Sequence, residues 1–189
     1  WCPTLVTAPL DAYAAPLARI AEAAARQGLH PEILGVHLEG PFLGTRPGAH
    51  PPGLIRAVDR AWLDALPALV ALITVAAECP GADEAWAWAR ARGVVASVGH
   101  SGADADTARS AFGSGAAMVT HLFNGMSGLD HRHPGVAAAL KSSRKSTPSG
   151  SARRSRDIKS ATRIARLPRP SLLSAPKPCQ TKALRRRSR

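Results

Sequence analysis

AMVTHLFNGMSGLDHRHPG, from Ala117 to Gly135, starts as an apolar run and ends as a polar, glycine-rich loop. The run Ala116 to Thr120 is short and contains Val and Thr, which predicts a buried strand. His121 follows it directly, and the loop behind carries Asn124, Asp130, His131, Arg132 and His133. Three earlier stretches repeat the arrangement. Ile33 to Leu38 runs into Glu39, Leu72 to Ala77 into Glu78, and Val94 to Gly99 into His100. Each apolar run thus ends in a side chain able to bind metal or move a proton. In a (β/α) barrel the C-terminal strand ends are where catalytic groups gather. Two neutral imidazoles and an ionised carboxylate form a workable Zn²⁺ set with an open fourth position.

Between these runs lie helical patterns, predicted at Leu10–Gln27 (regular from near Pro16, with Gly28 as its cap), Asp59–Leu66, Asp83–Arg92 and Asp104–Phe112. Strand alternating with helix argues for parallel βα units. The expected fold class is α/β, a partial (β/α) TIM-type barrel of about four units plus a leading strand end at Trp1–Thr7. A complete eight-fold barrel needs at least about 200 residues and usually about 250. With 189 residues and no initiator Met, the chain reads as a fragment. Trp86 and Trp88 stand two apart and cannot share one helical face. One is expected in the core and the other against a neighbouring element.

The formal charge of +12 hides an abrupt break. Residues 1–140 hold nine Arg and no Lys against twelve Asp and Glu, a net of −3; residues 141–189 hold sixteen Lys and Arg against Asp157 alone, a net of +15. The expected division is a barrel portion, 1–140, and a basic Ser/Arg/Pro-rich tail, 141–189, too sparse in apolar residues to fold alone. Its composition is what a shifted reading frame in a GC-rich gene would yield. The tail contains no Phe, Trp or Tyr, so it offers no stacking platform, and polyanion binding through charge is the lesser reading. Trypsin should remove it first, leaving a fragment that ends between Lys141 and Arg144; protection of the whole tail in an electrophoretic time course would contradict this. Cysteines at 2, 79 and 179 form no C-x-x-C pair and suit a reducing compartment, with the cytoplasm as the expected location. No stretch of about 18 residues is apolar enough for a membrane span.

The single residues each have a plain reading beside a chemical one. Glu39, held before Gly40-Pro41, is a candidate ligand rather than a loop carboxylate. His37, two residues earlier, faces the same way on a strand and is expected to be packed or to support the site from behind. His50, in the proline-rich loop 40–53, is either solvated or folded back to donate to a substrate carbonyl. Glu78 is equally a helix-start carboxylate or a bridging second ligand. His100 either caps a helix opened by Ser101 or Asp104, or shares a metal with His121. Asn124 and Arg132 are either solvated loop residues or an anion site, since guanidinium offers a forked donor set that matches phosphate.

Taken together, His37-Leu38-Glu39-Gly40-Pro41-Phe42, Gly48-Ala49-His50, Gly99-His100-Ser101, Thr120-His121-Leu122-Phe123-Asn124 and Arg132-His133-Pro134-Gly135 resemble the N-acetylglucosamine-6-phosphate deacetylases of the metal-dependent amidohydrolase superfamily. The resemblance runs from about residue 1 to about residue 140. It implies hydrolysis of the acetamide of N-acetylglucosamine 6-phosphate to glucosamine 6-phosphate and acetate. Glu39, His100 and His121 would be metal ligands. The divalent metal would be Zn²⁺ first, with Fe, Co or Mn as alternatives and one or two ions. Ala49, His50, Asn124, Gly125 and Arg132 would contact substrate, with His50 polarising the carbonyl. A homodimer is implied, in some members with the Arg reaching the phosphate across the interface. Gly125 stands where the family usually has Ala, which should loosen the loop, and His133 where it usually has an acidic residue. The family's proton-shuttling Asp belongs to a late strand beyond the resemblance, so the chain by itself is expected to be inactive. Deacetylation of another N-acetylated amino sugar phosphate is the close alternative, and a non-enzymatic metal-binding module with a basic arm the distant one.

Overall fold

The computed structural model describes residues 1–26 and 31–143. Five strands form one sheet, β1 (Thr4–Val6), β2 (Val36–Glu39), β3 (Val70–Val75), β4 (Val95–Val98) and β5 (Met118–Val119), in spatial order 1-2-3-4-5 and all parallel. The helices between and after them are α1 (Ala14–Ala25), α2 (Arg60–Ala65), α3 (Ala82–Arg92), α4 (Ala105–Ser114) and α5 (Val136–Ser143). Sequential parallel strands joined by helices are the arrangement of a (β/α) barrel carried part of the way round. The predicted alternation is therefore what the chain adopts.

The pairing register gives the sheet two unlike faces. Leu38, Ile73, Ala96 and Val98 fall on one face and are buried with Trp86, Ala85, Ala89, Ala108 and Ala111 of the helices. Thr4, His37, Glu39, Thr74 and Ser97 fall on the other. Strand residues alternate faces, so the apolar half buys the packing and leaves the polar half free for chemistry. Two large side chains on the polar face, Val6 and Met118, are 57% and 40% exposed.

Local sequence explains most boundaries. Asp59 accepts from Trp62 N–H and caps α2; Asp104, rather than Ser101, accepts from Thr107 N–H and caps α4. Pro16 sits in the first turn of α1, where its missing N–H breaks no helical bond, so the helix starts two residues before it. Gly28, expected as its cap, lies outside the described residues. β2 begins at Val36 rather than Ile33, because Gly35 takes φ +147 and its Cα lies against Ala71, where a side chain would collide. Trp86 and Trp88 are both about 1% exposed. α3 packs against α2, α4, β3 and β4, so it buries more than one face and both rings are covered.

α5 continues to Ser143, past the charge break at Leu140. The expectations for the rest of the 141–189 tail fall outside the described residues. Among the described residues, no helix is long and apolar enough to cross a membrane. Cys79 is buried, and burial pushes its thiol up to about 11, far from reactive.

Candidate metal centre

Parallel strands deliver their C-terminal ends to one side, and the chain uses this three times. Glu39 is the last residue of β2, His100 lies two beyond β4, and His121 two beyond β5. Glu39 Oε1 is 3.0 Å from His100 Nε2 and 2.9 Å from His121 Nε2, and the two nitrogens are 3.1 Å apart. Atoms that ligate one ion at about 2.0–2.2 Å stand roughly 3 Å from one another. The three atoms fit a divalent metal on spacing and on donor type.

Hydrogen bonding on the far side of each ring strengthens the fit. His100 Nδ1 lies 3.0 Å from the Arg46 carbonyl and His121 Nδ1 lies 3.1 Å from the Asn124 carbonyl. A carbonyl only accepts, so each Nδ1 carries a proton and donates it. Each Nε2 is then turned on Glu39 as a lone pair or, in an imidazolium, as an N–H. Two lone pairs and a carboxylate converging within about 3 Å repel each other until positive charge stands between them. An Nδ1–H donated to a carbonyl is also the common support for a metal-ligating histidine. Both histidines have left-handed backbone, φ 51 at His100 and φ 33 at His121, and Phe123 follows at φ 72. Non-glycine residues rarely sit there, and strain of this kind gathers at functional sites. Burial pushes the Glu39 carboxyl up, but hydrogen bonds and charge from the two imidazoles outweigh it and hold the group below the usual carboxylate range.

His50 completes the cluster from the loop 40–53. It is 8% exposed, its ring meets that of His100 edge-on at 4.3 Å, and its Nε2 lies 3.8 Å from Glu39 Oε1. It also belongs to a metal-capable set with Glu39 and His100. Its tautomer argues for another use. Thr7 N–H points at His50 Nδ1 at 3.4 Å, and Thr7 Oγ1 is 2.8 Å from the same atom. With the backbone N–H donating, Nδ1 accepts and Nε2 carries the proton toward the site; the Thr7 hydroxyl, which also reaches the Glu39 carbonyl at 3.3 Å, is then turned to the ring. Burial first, then the charge of His100, push the His50 pKa below its ordinary value, so the ring is neutral. His121 Nε2, at 2.9 Å, stands closer to Glu39 Oε1 than His50 Nε2 does at 3.8 Å.

The remaining candidates lie around this centre. Ala49, Asn124 and Arg132 are exposed in the loops that follow β2 and β5. Gly125 has φ +59, and a Cβ there would stand 3.1 Å from His100 Nδ1 and 3.3 Å from His121 Cε1. Rather than loosening the loop, glycine lets the backbone close on both rings. His37 is buried with Nδ1 3.1 Å from Thr4 Oγ1 and Nε2 2.7 Å from Thr74 Oγ1. Thr74 continues to Thr120 at 2.7 Å, and Thr120 to Ser97 at 2.8 Å. This hydroxyl chain crosses the sheet beneath the site and satisfies His37 on both sides. Burial pushes His37 toward the neutral form, in the supporting place expected of it. Glu78 is neither a helix cap nor a ligand: its oxygens are taken by Thr45, Ser101 and Gly102.

Sequence reading missed Thr7. It immediately follows β1, the same strand-end position that singled out Glu39, but a hydroxyl is too common to stand out.

Known proteins share this stretch. The chain is 42% identical over 144 residues to the N-acetylgalactosamine-6-phosphate deacetylase of Escherichia coli O157:H7, covering 74% of this chain and 38% of that protein. It is 41% identical over 152 residues to the N-acetylglucosamine-6-phosphate deacetylase of Bos taurus, covering 76% and 37%. Among solved structures, the N-acetyl-D-glucosamine-6-phosphate deacetylase of Mycobacterium smegmatis, in complex with N-acetyl-D-glucosamine-6-phosphate, matches with a TM-score of 0.68 at 42% identity over 75% of this chain and 37% of its own. The chain thus spans a little over a third of these relatives. No protein-family profile matches it.

Proposed function

We propose that this chain, similar over about three quarters of its length to the N-acetylglucosamine-6-phosphate deacetylases, belongs to their family, and that residues 1–140 carry the metal-binding part of an enzyme that hydrolyses the acetamide of N-acetylglucosamine 6-phosphate to glucosamine 6-phosphate and acetate. The observation that carries the reading is the convergence of Glu39 Oε1, His100 Nε2 and His121 Nε2 at about 3 Å from one another. These three would hold the divalent ion, Zn²⁺ first. When bound, it would polarise the substrate carbonyl and lower the pKa of water for attack.

The chain's own residues do the rest. The Arg46 and Asn124 carbonyls hold the two ligand rings in one tautomer. His50 presents its Nε2 proton to the carbonyl oxygen and supports the negative charge that develops there. Ala49, Asn124 and Gly125 line the sugar side. Arg132 takes the phosphate with its forked donors. Around this centre the proposal includes a homodimer, a cytoplasmic location and a 141–189 segment outside the catalytic fold. A second reading, the galactosamine epimer as substrate, is favoured by the similarity to the Escherichia coli protein.

The test is a chimera of residues 1–140 followed by the remaining C-terminal part of the Mycobacterium smegmatis relative. It should release acetate from the phosphorylated sugar, and the two epimers assayed side by side decide between the readings. Arg132→Ala should raise KM roughly 10–100-fold, the worth of one charge-assisted pair, with kcat changed only a few-fold. Equal hydrolysis of phosphorylated and phosphate-free sugar would overturn the substrate assignment.

A further inference from the structure

We propose that Glu78 is the positioning residue that assembles the metal centre, although its carboxylate takes no part in holding the ion. The inference rests on the metal reading above. Three donors converge on Oε1: Gly102 N–H at 2.7 Å, Thr45 N–H at 3.1 Å and Thr45 Oγ1 at 3.3 Å. Ser101 Oγ donates to Oε2 at 2.5 Å. Both oxygens are therefore committed to the protein, and charge-assisted bonds of this kind are among the stronger ones. Burial pushes the Glu78 carboxyl up, yet the bonds from Ser101, Gly102 and Thr45 outweigh it, so the anion persists.

The partners show what the anion does. Thr45 is next to Arg46, whose carbonyl holds His100 Nδ1, and five residues before His50. Ser101 and Gly102 directly follow His100. Gly44 N–H donates to the His100 carbonyl at 3.0 Å, and Ser101 N–H to the Gly125 carbonyl at 3.1 Å. One carboxylate, three residues beyond β3, thus joins the loop after β2 to the turn after β4, and through Ser101 reaches the loop that bears His121. Two glycines clear its space. A Cβ on Gly44 would collide with the Glu78 carboxylate, and one on Gly102 with Thr45 Oγ1. The strand ends alone bring the ligands to one side of the sheet; Glu78 fixes the loop that sets the His100 ring and carries His50.

The experiment uses the full 189-residue chain, titrated with Zn²⁺ by calorimetry and with Co²⁺ by its d–d absorption. Glu78→Ala should weaken both metals about 10–100-fold, the usual cost of losing a group that orients a ligand, and should alter the Co²⁺ band shape. Glu78→Gln keeps the oxygen on which three donors converge and should restore affinity to within a few-fold. Leu17→Ala, which empties a core position on α1, supplies a control that loses thermal stability without touching the centre; its affinity and spectrum should match the parent. Parent-like metal affinity and spectrum in Glu78→Ala would overturn the proposal. So would an equal loss in Leu17→Ala, which would make the effect one of general stability. Failure of the parent chain to bind either metal would instead overturn the metal reading on which the proposal rests.

Discussion

Glu39→Gln should abolish specific metal binding by the 189-residue chain, lowering Zn²⁺ affinity by more than about 100-fold. Loss of a group that merely supports a ligand costs about 10–100-fold, and Glu39 Oε1 is itself the atom within 3.0 Å of both imidazole nitrogens. It is also the only anion of the three, so its replacement removes the charge that offsets the cation. Glutamine is nearly the same shape, and its amide N–H can donate to a histidine Nε2. That relieves in the metal-free protein the repulsion between lone pairs and carboxylate. The two effects therefore have opposite signs: the metal-free melting temperature should hold or rise while affinity collapses. Calorimetric Zn²⁺ titration and a thermal melt in chelator measure them separately. Affinity within three-fold of the parent would remove Glu39 from the ligand set. A large drop in the metal-free melting temperature would mean that its role is structural.

The 189-residue chain by itself should release acetate from N-acetylglucosamine 6-phosphate at a negligible rate, even with Zn²⁺ supplied. An amine departs poorly without a proton, and a positioned general acid or base contributes about 10²–10⁴-fold. Among the described residues the groups at the centre are already committed. Glu39 faces two imidazoles, Glu78 accepts four hydrogen bonds, and the proposed role of His50 already uses its one proton on the substrate carbonyl. None is left to carry a proton to nitrogen. Exposure of Val6 and Met118 on the site face also admits water where preorganised dipoles would otherwise act. The chimera with a relative's C-terminal part should exceed the isolated chain by at least the factor of 10² that general acid–base catalysis supplies. An isolated chain, free of host deacetylase, that turned over at roughly 1–10³ per second would sink the idea.

The sequence by itself determined the order of strands and helices and which side chains stand at the strand ends. Those signals are local. Apolar runs such as Val94–Val98, capping residues such as Asp59, and a chemical residue just beyond each run are all visible within ten residues. Parallel strands then convert position along the chain into position in space, so Glu39, Glu78, His100 and His121 could be named as strand-end candidates before any distance was known, and the family resemblance narrowed the ligand set to Glu39, His100 and His121.

Tertiary structure decided the rest, because it depends on partners far apart in sequence. Thr7 sets the proton on His50 from 43 residues away, and the Arg46 carbonyl orients His100 from 54. Glu78 looked like a cap or a second ligand, since nothing near it in the chain reveals that Thr45, Ser101 and Gly102 converge on its oxygens. The start of β2 and the burial of both Trp86 and Trp88 depended likewise on how closely Gly35 approaches Ala71 and on what surrounds α3. A charge pattern marks Leu140 as a boundary, yet α5 spans it: the helix begins on the buried Val136, Ala137 and Ala139, has α4 as its neighbour, and includes residues 141–143.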